Sequence, residues 1–373
     1  MRKGVSMQAA ETKGPRHVVV VTHERLRQSA IVENAIAQLQ DEGFDVTVID
    51  NTEAPDFGSP SPKVDPDTEI VLVLGGDGTI LRAAELVTCT NVPILGINMG
   101  HVGFLAEYES FQIHEAIHRI AEHDYSIEER MIAHVDVWLP DAATPLGDWA
   151  LNDITIERAD RGKMVELSIA VDGVAMSSFG CDGIIVSTPT GSTAYAFSAG
   201  GPIIWPAVEA LLLVPLAAHA LFARPIVIGS DSTFSIRIDD DSTSDGWICS
   251  DGRRQRPLPR GTRVDIRQSS GRLRLAHLSD APFTNRLVTK FNLPVVGWRD
   301  LHTPNTARVG TSLRGQGDVE DPDDADAGAY VANEAITSVT GGTDSDNARN
   351  DDARGDGTCG MSTTVQSTEP PVR

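Results

Sequence analysis

The stretch VLVLGGDGTILRAA, residues 71–84, decides the fold. Four apolar residues run into Gly75 and Gly76, and a helical pattern begins at Thr79. A buried strand that ends in such a loop places the loop at the carboxyl end of a parallel sheet, where open α/β folds bind ligands. Glycines let backbone amides approach an anion closely, and the N-terminus of the next helix adds partial positive charge. The stretch therefore predicts phosphate contacts at Gly75, Gly76, Gly78 and Thr79.

One carboxylate, Asp77, lies inside this glycine loop. Beside phosphates a carboxylate is repulsive unless it holds a cation or accepts a proton, so its position indicates phosphoryl transfer to a hydroxyl. The alternative is a tight strand-to-helix turn in which Asp77 is only the N-cap of the helix. The chain contains no G-x-x-x-x-G-K-[ST] and no G-x-G-x-x-G, which excludes the P-loop and the dinucleotide-fold fingerprint as explanations.

A second motif, GCDGIIVSTPTGSTAYAFSAGGP, covers residues 180–202. Its predicted strand leads into a loop in which six of nine residues carry hydroxyl groups: Ser187, Thr188, Thr190, Ser192, Thr193 and Tyr195. Pro189 and Gly191 prevent regular structure, so we expect hydroxyls and backbone amides that are free to bond a polar ligand. Tyr195 is expected to pack against a planar base. The alternative is a structural Ser/Thr turn that caps the following helix.

A third signal is LNDITIER, residues 151–158, where Asn152 and Asp153 begin an otherwise apolar strand. An asparagine amide offers a donor and an acceptor to an adenine edge, and the neighbouring carboxylate suits ribose hydroxyls. A β-turn or bulge explains the pair equally well.

Composition limits the class of partner. The formal net charge is -22, and residues 301–373 hold 13 acidic residues against 5 basic ones. This charge argues against nucleic acid and anionic membranes as partners. The four cysteines are scattered and form no C-x-x-C pair. The sequence also shows no signal-peptide pattern and no apolar run long enough for a bilayer. Together these features predict a cytoplasmic protein.

The pattern along the chain predicts an α/β domain followed by a β-rich, β-sandwich-like domain. Strands and helices alternate from residue 16 to about 130, and short alternating strands follow up to about 279. The predicted organisation is a flexible leader (1–15), an N-terminal α/β domain (16–130), a C-terminal β-rich domain (131–279), a segment that returns to the first domain (280–300) and a disordered acidic tail (301–373).

The chain closely resembles bacterial NAD kinases, most of all the actinobacterial members. The stretches that carry the resemblance are, in order, GGDGTILRA, LGINMGHVGFL, LND and the whole of the second motif. The resemblance extends from about residue 17 to Trp298 and includes APFTNRLVTKFNLPVVGW. It implies transfer of the terminal phosphate of ATP, or in some members of inorganic polyphosphate, to the 2′-hydroxyl of the adenosine ribose of NAD, which gives NADP. It also implies Mg²⁺ or another divalent metal and a homo-oligomer, a dimer or tetramer.

The resemblance assigns roles to individual residues. Asp77 matches the proton acceptor of the family, and Tyr195 is expected near the adenine. The matched NAD-contacting positions are Asp77, Gly78, Arg82, Asn152, Asp153, Lys163, Asp182, Thr190, Thr193, Ala194, Tyr195 and Ser198. Many members carry Glu where this chain has Asp153, so the ribose contact there has about one methylene less reach.

Two other functions share parts of this pattern. A lipid or sugar kinase would use the Gly-Gly-Asp-Gly loop but gives no reason for the loop of hydroxyls. A non-catalytic NAD(P)-binding sensor would use Asp77 only to order a turn.

Overall fold

Four consecutive valines, Val18–Val21, form the centre of the first strand in the computed structural model. Because side chains alternate across a strand, Val18 and Val20 pack with one set of helices and Val19 and Val21 with another helix on the opposite face. A strand buried on both faces is typical of a parallel sheet covered by helices. The structure describes residues 16–50, 54–60, 63–100, 103–106, 108–279 and 281–295, all within one unit of the chain.

The N-terminal elements alternate as the sequence predicts, and they are β1 (Arg16–Thr22), α1 (Ala30–Asp41), β2 (Phe44–Ile49), β3 (Thr68–Leu74), α2 (Asp77–Val87), β4 (Ile94–Asn98), β5 (Tyr108–Glu109) and α3 (Ile113–Ala121). Strands β2, β1, β3 and β4 are adjacent and parallel in that order. Residues of α1 and α3 pack on one face of this sheet and residues of α2 on the other.

The elements that follow are β6 (Ser126–Trp138), β7 (Leu146–Ala150), β8 (Asp153–Arg158), β9 (Val165–Val171), β10 (Val174–Cys181), β11 (Gly183–Ser187), α4 (Tyr195–Ser198), β12 (Ala210–Leu216), β13 (Ile226–Gly229), β14 (Phe234–Ile238), β15 (Gly246–Ser250), β16 (Arg254–Leu258), β17 (Arg263–His277) and α5 (Phe283–Phe291). Short 3-10 turns lie at Glu24–Leu26, Ser110–Gln112 and Gly191–Thr193.

Two sheets face each other in this second region. Strands β13, β12, β11, β8, β15 and β16 form a six-stranded antiparallel sheet in that order. Its inward residues, among them Ile154 and Ile184, share one buried cluster with Val135, Leu167 and other residues of the opposite sheet. The predicted fold class, α/β followed by a β-sandwich-like region, is confirmed.

The opposite sheet is continuous with the N-terminal one. Among the described residues, eleven strands belong to it, in the order β10, β9, β14, β17, β4, β3, β1 and β2, with β5, β6 and β7 attached beside this path. The join is a parallel contact between β17 and β4, where Leu275 lies opposite Ile94.

After β17 the chain forms α5, which packs on residue Phe104 of the N-terminal region. None of the helices in the described part of the chain has the length and apolar character needed to cross a bilayer. The predicted leader (1–15) and acidic tail (301–373) lie outside the described residues, as do residues 280 and 296–300 of the predicted returning segment.

Candidate active site

The glycine loop lies between β3 and α2, at the carboxyl end of the parallel strands. Helix α2 begins at Asp77, two residues earlier than the sequence predicted, because the amides of Thr79 and Ile80 already bond to the carbonyl of Gly76 at 2.9 and 3.2 Å. Gly76 is the N-cap and no side chain caps this helix. The alternative in which Asp77 is the N-cap is therefore wrong.

The glycine loop is closely packed at Gly75 and open at Gly76 and Gly78. A methyl group on Gly75 would lie 2.7 Å from Cβ of Thr79, so Gly75 is needed for close packing against that buried threonine. Around the Cβ positions of Gly76 and Gly78, nothing lies within 4 Å. The first amides of α2 have no intrahelical acceptor, and the helix adds partial positive charge there. The open side of the loop therefore suits an anion.

The carboxylate of Asp77 is held by a second loop. Its Oδ2 accepts a hydrogen bond from the amide of Phe104 and its Oδ1 one from the amide of Leu105, both at 3.0 Å. A side chain at Gly103 would overlap this carboxylate. Each oxygen accepts one backbone hydrogen bond and keeps capacity for another partner, so Asp77 is oriented and still able to bind a hydroxyl.

Arg82 lies on α2, five residues after Asp77. Its Nε atom is buried and has no hydrogen-bond partner among the described residues. A guanidinium nitrogen in that state is suited to an anionic ligand.

A cleft of about 590 Å³ opens on the outer face of the six-stranded sheet. Ile154 and Ile156 of β8 point into the core, so the alternating residues Asp153, Thr155 and Glu157 point into the cleft. Strand β15 contributes the residues opposite them, since Trp247 pairs with Glu157 and Cys249 with Thr155. This volume is in the range of small-molecule sites.

Of the twelve predicted NAD-contacting residues, four line this cleft together: Asn152, Asp153, Ala194 and Tyr195. Tyr195 is 42% exposed, so its ring is available to a ligand. Sequence reasoning missed Thr155, Glu157, Trp247, Cys249 and Gln255 on the cleft wall. The alternation along β8 after Asp153 is the signal that could have found the first two of these.

Two further predicted residues, Asp182 and Lys163, do not line the cleft but contact residues in or beside its lining. Asp182 forms an ion pair of 2.6 Å with Arg158, and Arg158 lines the cleft. Lys163 is exposed and lies 3.6 Å from Asp160, in the turn after β8 that also brings Arg161 to the cleft.

The hydroxyl-rich loop is more structural than the sequence predicted. Ser187 donates to the carbonyl of Asn152 at 3.2 Å, Ser192 donates to Pro189 at 2.7 Å, and Thr193 donates to Thr190 at 3.2 Å. Thr188 likewise donates to the carbonyl of Leu151. For these four hydroxyls the expectation of free donors is wrong, because each one donates to a backbone carbonyl inside the fold. The N-cap residues Thr190 and Ala194 make no side-chain cap to the short helices that follow, although Oγ1 of Thr188 accepts a hydrogen bond of 3.2 Å from the amide of Gly191.

The same loop packs directly on Asn152. The amide of Thr188 donates to the Asn152 carbonyl at 2.9 Å, and a side chain on Gly191 would overlap the Asn152 backbone. Gly191 is thus required by close approach of two backbones. The packing brings Tyr195 to the same cleft as Asn152.

Asp251 fixes the segment that carries Asn152. Its carboxylate accepts hydrogen bonds from the amides of Leu151, Asn152 and Asp153, at 2.9, 2.7 and 3.4 Å. It is buried, and burial is the largest cause that raises its pKa. Arg254 lies 3.4 Å from it and offsets part of that cost.

Arg254 extends this network to α2. Its guanidinium contacts Asp148 at 3.1 Å and Glu85, on α2, at 2.8 Å, and it lies over the ring of Trp149. The helix that begins with Asp77 is therefore tied to the segment that carries Asn152. Sequence reasoning missed this network, although Glu85 stands out as a charge in an otherwise apolar stretch.

Asp153 is a strongly perturbed carboxyl group in the lining of the cleft. Burial, followed by the charges of Asp251 and Glu157, raises the pKa of Asp153 to about 7. A carboxyl group that titrates near neutrality exists partly as the acid, so it donates as well as accepts hydrogen bonds.

The fold is shared with solved kinase structures. The crystal structure of yeast NADH kinase complexed with NADH matches with a TM-score of 0.65 at 21% identity, over 77% of this chain and 90% of that one. An NAD kinase from Archaeoglobus fulgidus in complex with ATP matches with a TM-score of 0.59 at 25% identity, over 74% of this chain and 98% of that one.

Sequence comparison identifies the family. The ATP-NAD kinase N-terminal domain model matches residues 24–125, and the ATP-NAD kinase C-terminal domain model matches residues 151–278. An NAD kinase from Bifidobacterium longum subsp. infantis is 74% identical over 78% of this chain and 86% of its own length. An NAD kinase from Leifsonia xyli is 48% identical over 76% of this chain and 97% of its own. The chain belongs to the ATP-NAD kinase family.

Proposed function

We propose that this protein is an NAD kinase that transfers the terminal phosphate of ATP to the 2′-hydroxyl of the adenosine ribose of NAD, producing NADP. The observation that carries the proposal is the position of Asp77. Its oriented carboxylate lies in an open glycine loop at a helix N-terminus, and that helix is joined through Arg254 to the segment lining the cleft.

NAD occupies the cleft in this proposal. Tyr195 packs against the adenine, the Asn152 amide bonds to the adenine edge, and Asp153 bonds to a ribose hydroxyl. These roles are supported by the shared lining of one cleft. The remaining proposed NAD contacts are Asp77, Gly78, Arg82, Lys163, Asp182, Thr190, Thr193, Ala194 and Ser198.

The phosphates of ATP bind at the glycine loop. The Cβ positions of Gly76 and Gly78 border open space, so a phosphate can approach the backbone there, and Arg82, whose buried Nε has no hydrogen-bond partner among the described residues, supplies positive charge. Gly75 and Thr79 form the packed base of this phosphate site. Polyphosphate in place of ATP fits the same chemistry.

The described residues hold no group of three or more His, Cys, Asp or Glu side chains placed to bind a metal ion by themselves. A magnesium ion bound through ATP phosphates needs only one or two protein carboxylates, and Asp77 fits that requirement. Such an ion would neutralise charge on the phosphates.

Asp77 acts on the ribose hydroxyl. The 2′-hydroxyl is scarcely ionised at neutral pH, so its attack on phosphorus requires alignment and an acceptor for its proton. The two backbone hydrogen bonds fix the carboxylate, and its remaining acceptor capacity receives the proton at one carboxylate oxygen.

Several finer features belong to the same proposal. We place the enzyme in the cytoplasm as a homo-oligomer, a dimer or tetramer. The proposed domain organisation is a leader (1–15), an N-terminal α/β domain (16–130), a C-terminal β-rich domain (131–279), a segment that returns to the first domain (280–300) and an acidic tail (301–373).

The test is NADP formation from NAD, ATP and Mg²⁺ by purified wild-type protein and by Asp77→Asn. We expect product from the wild type and a turnover number lower by about 10²–10⁴-fold in the variant, with the KM for NAD little changed. Asp67→Asn, an exposed carboxylate before β3, is the matched control and should turn over as the wild type does. NAD binding without product in the wild type would support a sensor instead, and unchanged turnover in Asp77→Asn would overturn the mechanism.

A further inference from the structure

The orientation of Asp77 depends on a loop outside its own helix. Its carboxylate accepts hydrogen bonds from the backbone amides of Phe104 and Leu105, at 3.0 Å each. Gly103 lies against the same carboxylate, with no space for a side chain. A displacement of this short segment would therefore move or release the proposed proton acceptor.

Helix α5 holds that segment from its other side. Nη1 of Arg286 donates a hydrogen bond of 3.1 Å to the carbonyl of Phe104, the residue whose amide binds Asp77. The buried Phe104 ring also contacts the rings of Phe283 and Phe291, with centroids 6.1 and 5.6 Å away. One residue of the loop is thus bound by α5 through its carbonyl and its ring, and binds Asp77 through its amide.

The guanidinium of Arg286 is itself oriented. Its Nη2 lies 3.1 Å from Nδ1 of His277, and Nε2 of His277 lies 2.6 Å from the carboxylate of Glu128. These contacts connect α5 to the ends of β17 and β6. An arginine fixed in this way holds its second nitrogen in a defined direction toward the Phe104 carbonyl.

We infer that Arg286 is a positioning residue for phosphoryl transfer, which acts on Asp77 through the backbone of Phe104. The inference rests on the proposed role of Asp77. Arg286 touches neither NAD nor ATP in this scheme, so its loss should reduce turnover without weakening NAD binding. A carboxylate displaced by about 1 Å from its productive position costs up to ~10²-fold in rate.

The experiment measures kcat and KM for NAD in Arg286→Met and Arg286→Lys, alone and combined with Asp77→Asn. Methionine keeps the apolar stem and removes the donors, whereas lysine keeps a charge and a donor. We expect Arg286→Met to lower kcat by roughly 10–100-fold at an unchanged KM, and Arg286→Lys to recover part of that loss. Asn285→Ala, an exposed neighbour on α5, is the control and should retain the wild-type kcat.

The double variant distinguishes the two ideas. If Arg286 acts through Asp77, then adding Arg286→Met to Asp77→Asn lowers kcat no further. If Asp77→Asn lowers kcat and Arg286→Met lowers it again by its full factor, the inference is wrong while the proposed function stands. If Asp77→Asn alone leaves kcat unchanged, the proposed role of Asp77 is wrong, and the inference about Arg286 is wrong with it.

Thermal unfolding separates positioning from folding. An unaltered midpoint for Arg286→Met, with the lower kcat, supports positioning. A purely structural role would lower the midpoint and the active fraction together and leave the kcat per active site as in wild type, which would overturn the inference. Should the methionine variant not fold, Arg286→Lys carries the same comparison.

Discussion

Arg254 and Glu85 form a buried ion pair of 2.8 Å, with side chains that are 1% and 3% exposed. The pair joins β16 to the helix that begins with Asp77. Arg254 also contacts Asp148 and Asp251, and Asp251 holds the backbone of Asn152. This guanidinium group thus links the helix of the glycine loop to the segment that lines the cleft.

Replacing Arg254 by methionine should destabilise the protein strongly. Three buried carboxylates would lose a shared cation, and breaking a buried pair in this way costs about 3–5 kcal/mol in the free energy of unfolding. Urea unfolding measures it. Arg274→Met is the control, because Arg274 pairs with Glu129 at the surface, at 3.3 Å, and should lose less than about 1 kcal/mol. Equal losses in both variants would contradict the importance of the buried network.

Asp153→Asn should change how stability depends on pH. The pKa of Asp153 is raised to about 7, mainly by burial, whereas the unfolded chain has an ordinary aspartate of about 3.9. Between these values the folded protein binds the extra proton, so the contribution of Asp153 to stability falls as pH rises from about 4 to about 7.

The asparagine variant has no such proton to lose. Its free energy of unfolding, relative to wild type, should rise across that window by roughly 2–4 kcal/mol, because each pKa unit corresponds to about 1.4 kcal/mol. Chemical unfolding at several pH values gives the difference. A difference that is the same at pH 4 and pH 8 would show that Asp153 titrates normally.

Tyr195→Ala should weaken NAD binding. The half-exposed ring lines the cleft, and loss of an aromatic packing partner costs about 0.5–1.5 kcal/mol, or roughly 2–10-fold in KM for NAD. The turnover number should change little, since Tyr195 is not expected to touch the reacting hydroxyl. Phe111→Ala removes an exposed aromatic ring that does not line the cleft and should leave KM unaltered. An unaltered KM in Tyr195→Ala would count against its adenine role.

Gly191→Ala should damage both stability and the cleft. Its methyl group would overlap the backbone of Asn152, so the hydroxyl-rich loop must shift away from β8. We expect a loss of about 1–3 kcal/mol, as for other overpacked positions, together with a higher KM for NAD. Gly229→Ala is the matched control, because nothing lies within 4 Å of the added methyl group. A Gly191→Ala protein with wild-type stability would show that the loop adapts freely.

Much of the fold could be predicted from local patterns. The run at 70–74 lies within β3, and the apolar spacing at Val32 and Leu39 marks the buried face of α1. The errors have physical causes. Residues 262–268 and 273–278 each have the alternating pattern of a separate short strand, yet β17 is continuous across both, because pairing with β6 resumes after a bulge between Gln268 and Arg272.

The candidate site was predictable where a motif carries the chemistry. Asp77, Asn152 and Tyr195 stand in short, distinctive stretches, so their residue types alone suggested a ligand. Phe104 and Arg254 do not stand in such stretches, and their roles could not be predicted, because those roles arise from partners such as Asp77 and Glu85 that are distant in sequence. The hydroxyl-rich loop shows the opposite error, since a count of donors does not reveal which of them the backbone already uses.

Through the parallel contact of Leu275 with Ile94, the N-terminal α/β region and the β-rich region share one sheet and are not joined by a flexible linker alone. A shared sheet does not allow the large rotation by which many two-lobed enzymes close over substrate. Catalytic closure in this enzyme should therefore come from exposed backbone segments such as 159–163, and not from the fixed segment 103–106. A ligand that rigidifies an exposed segment of this kind would slow turnover even if it never enters the nucleotide cleft.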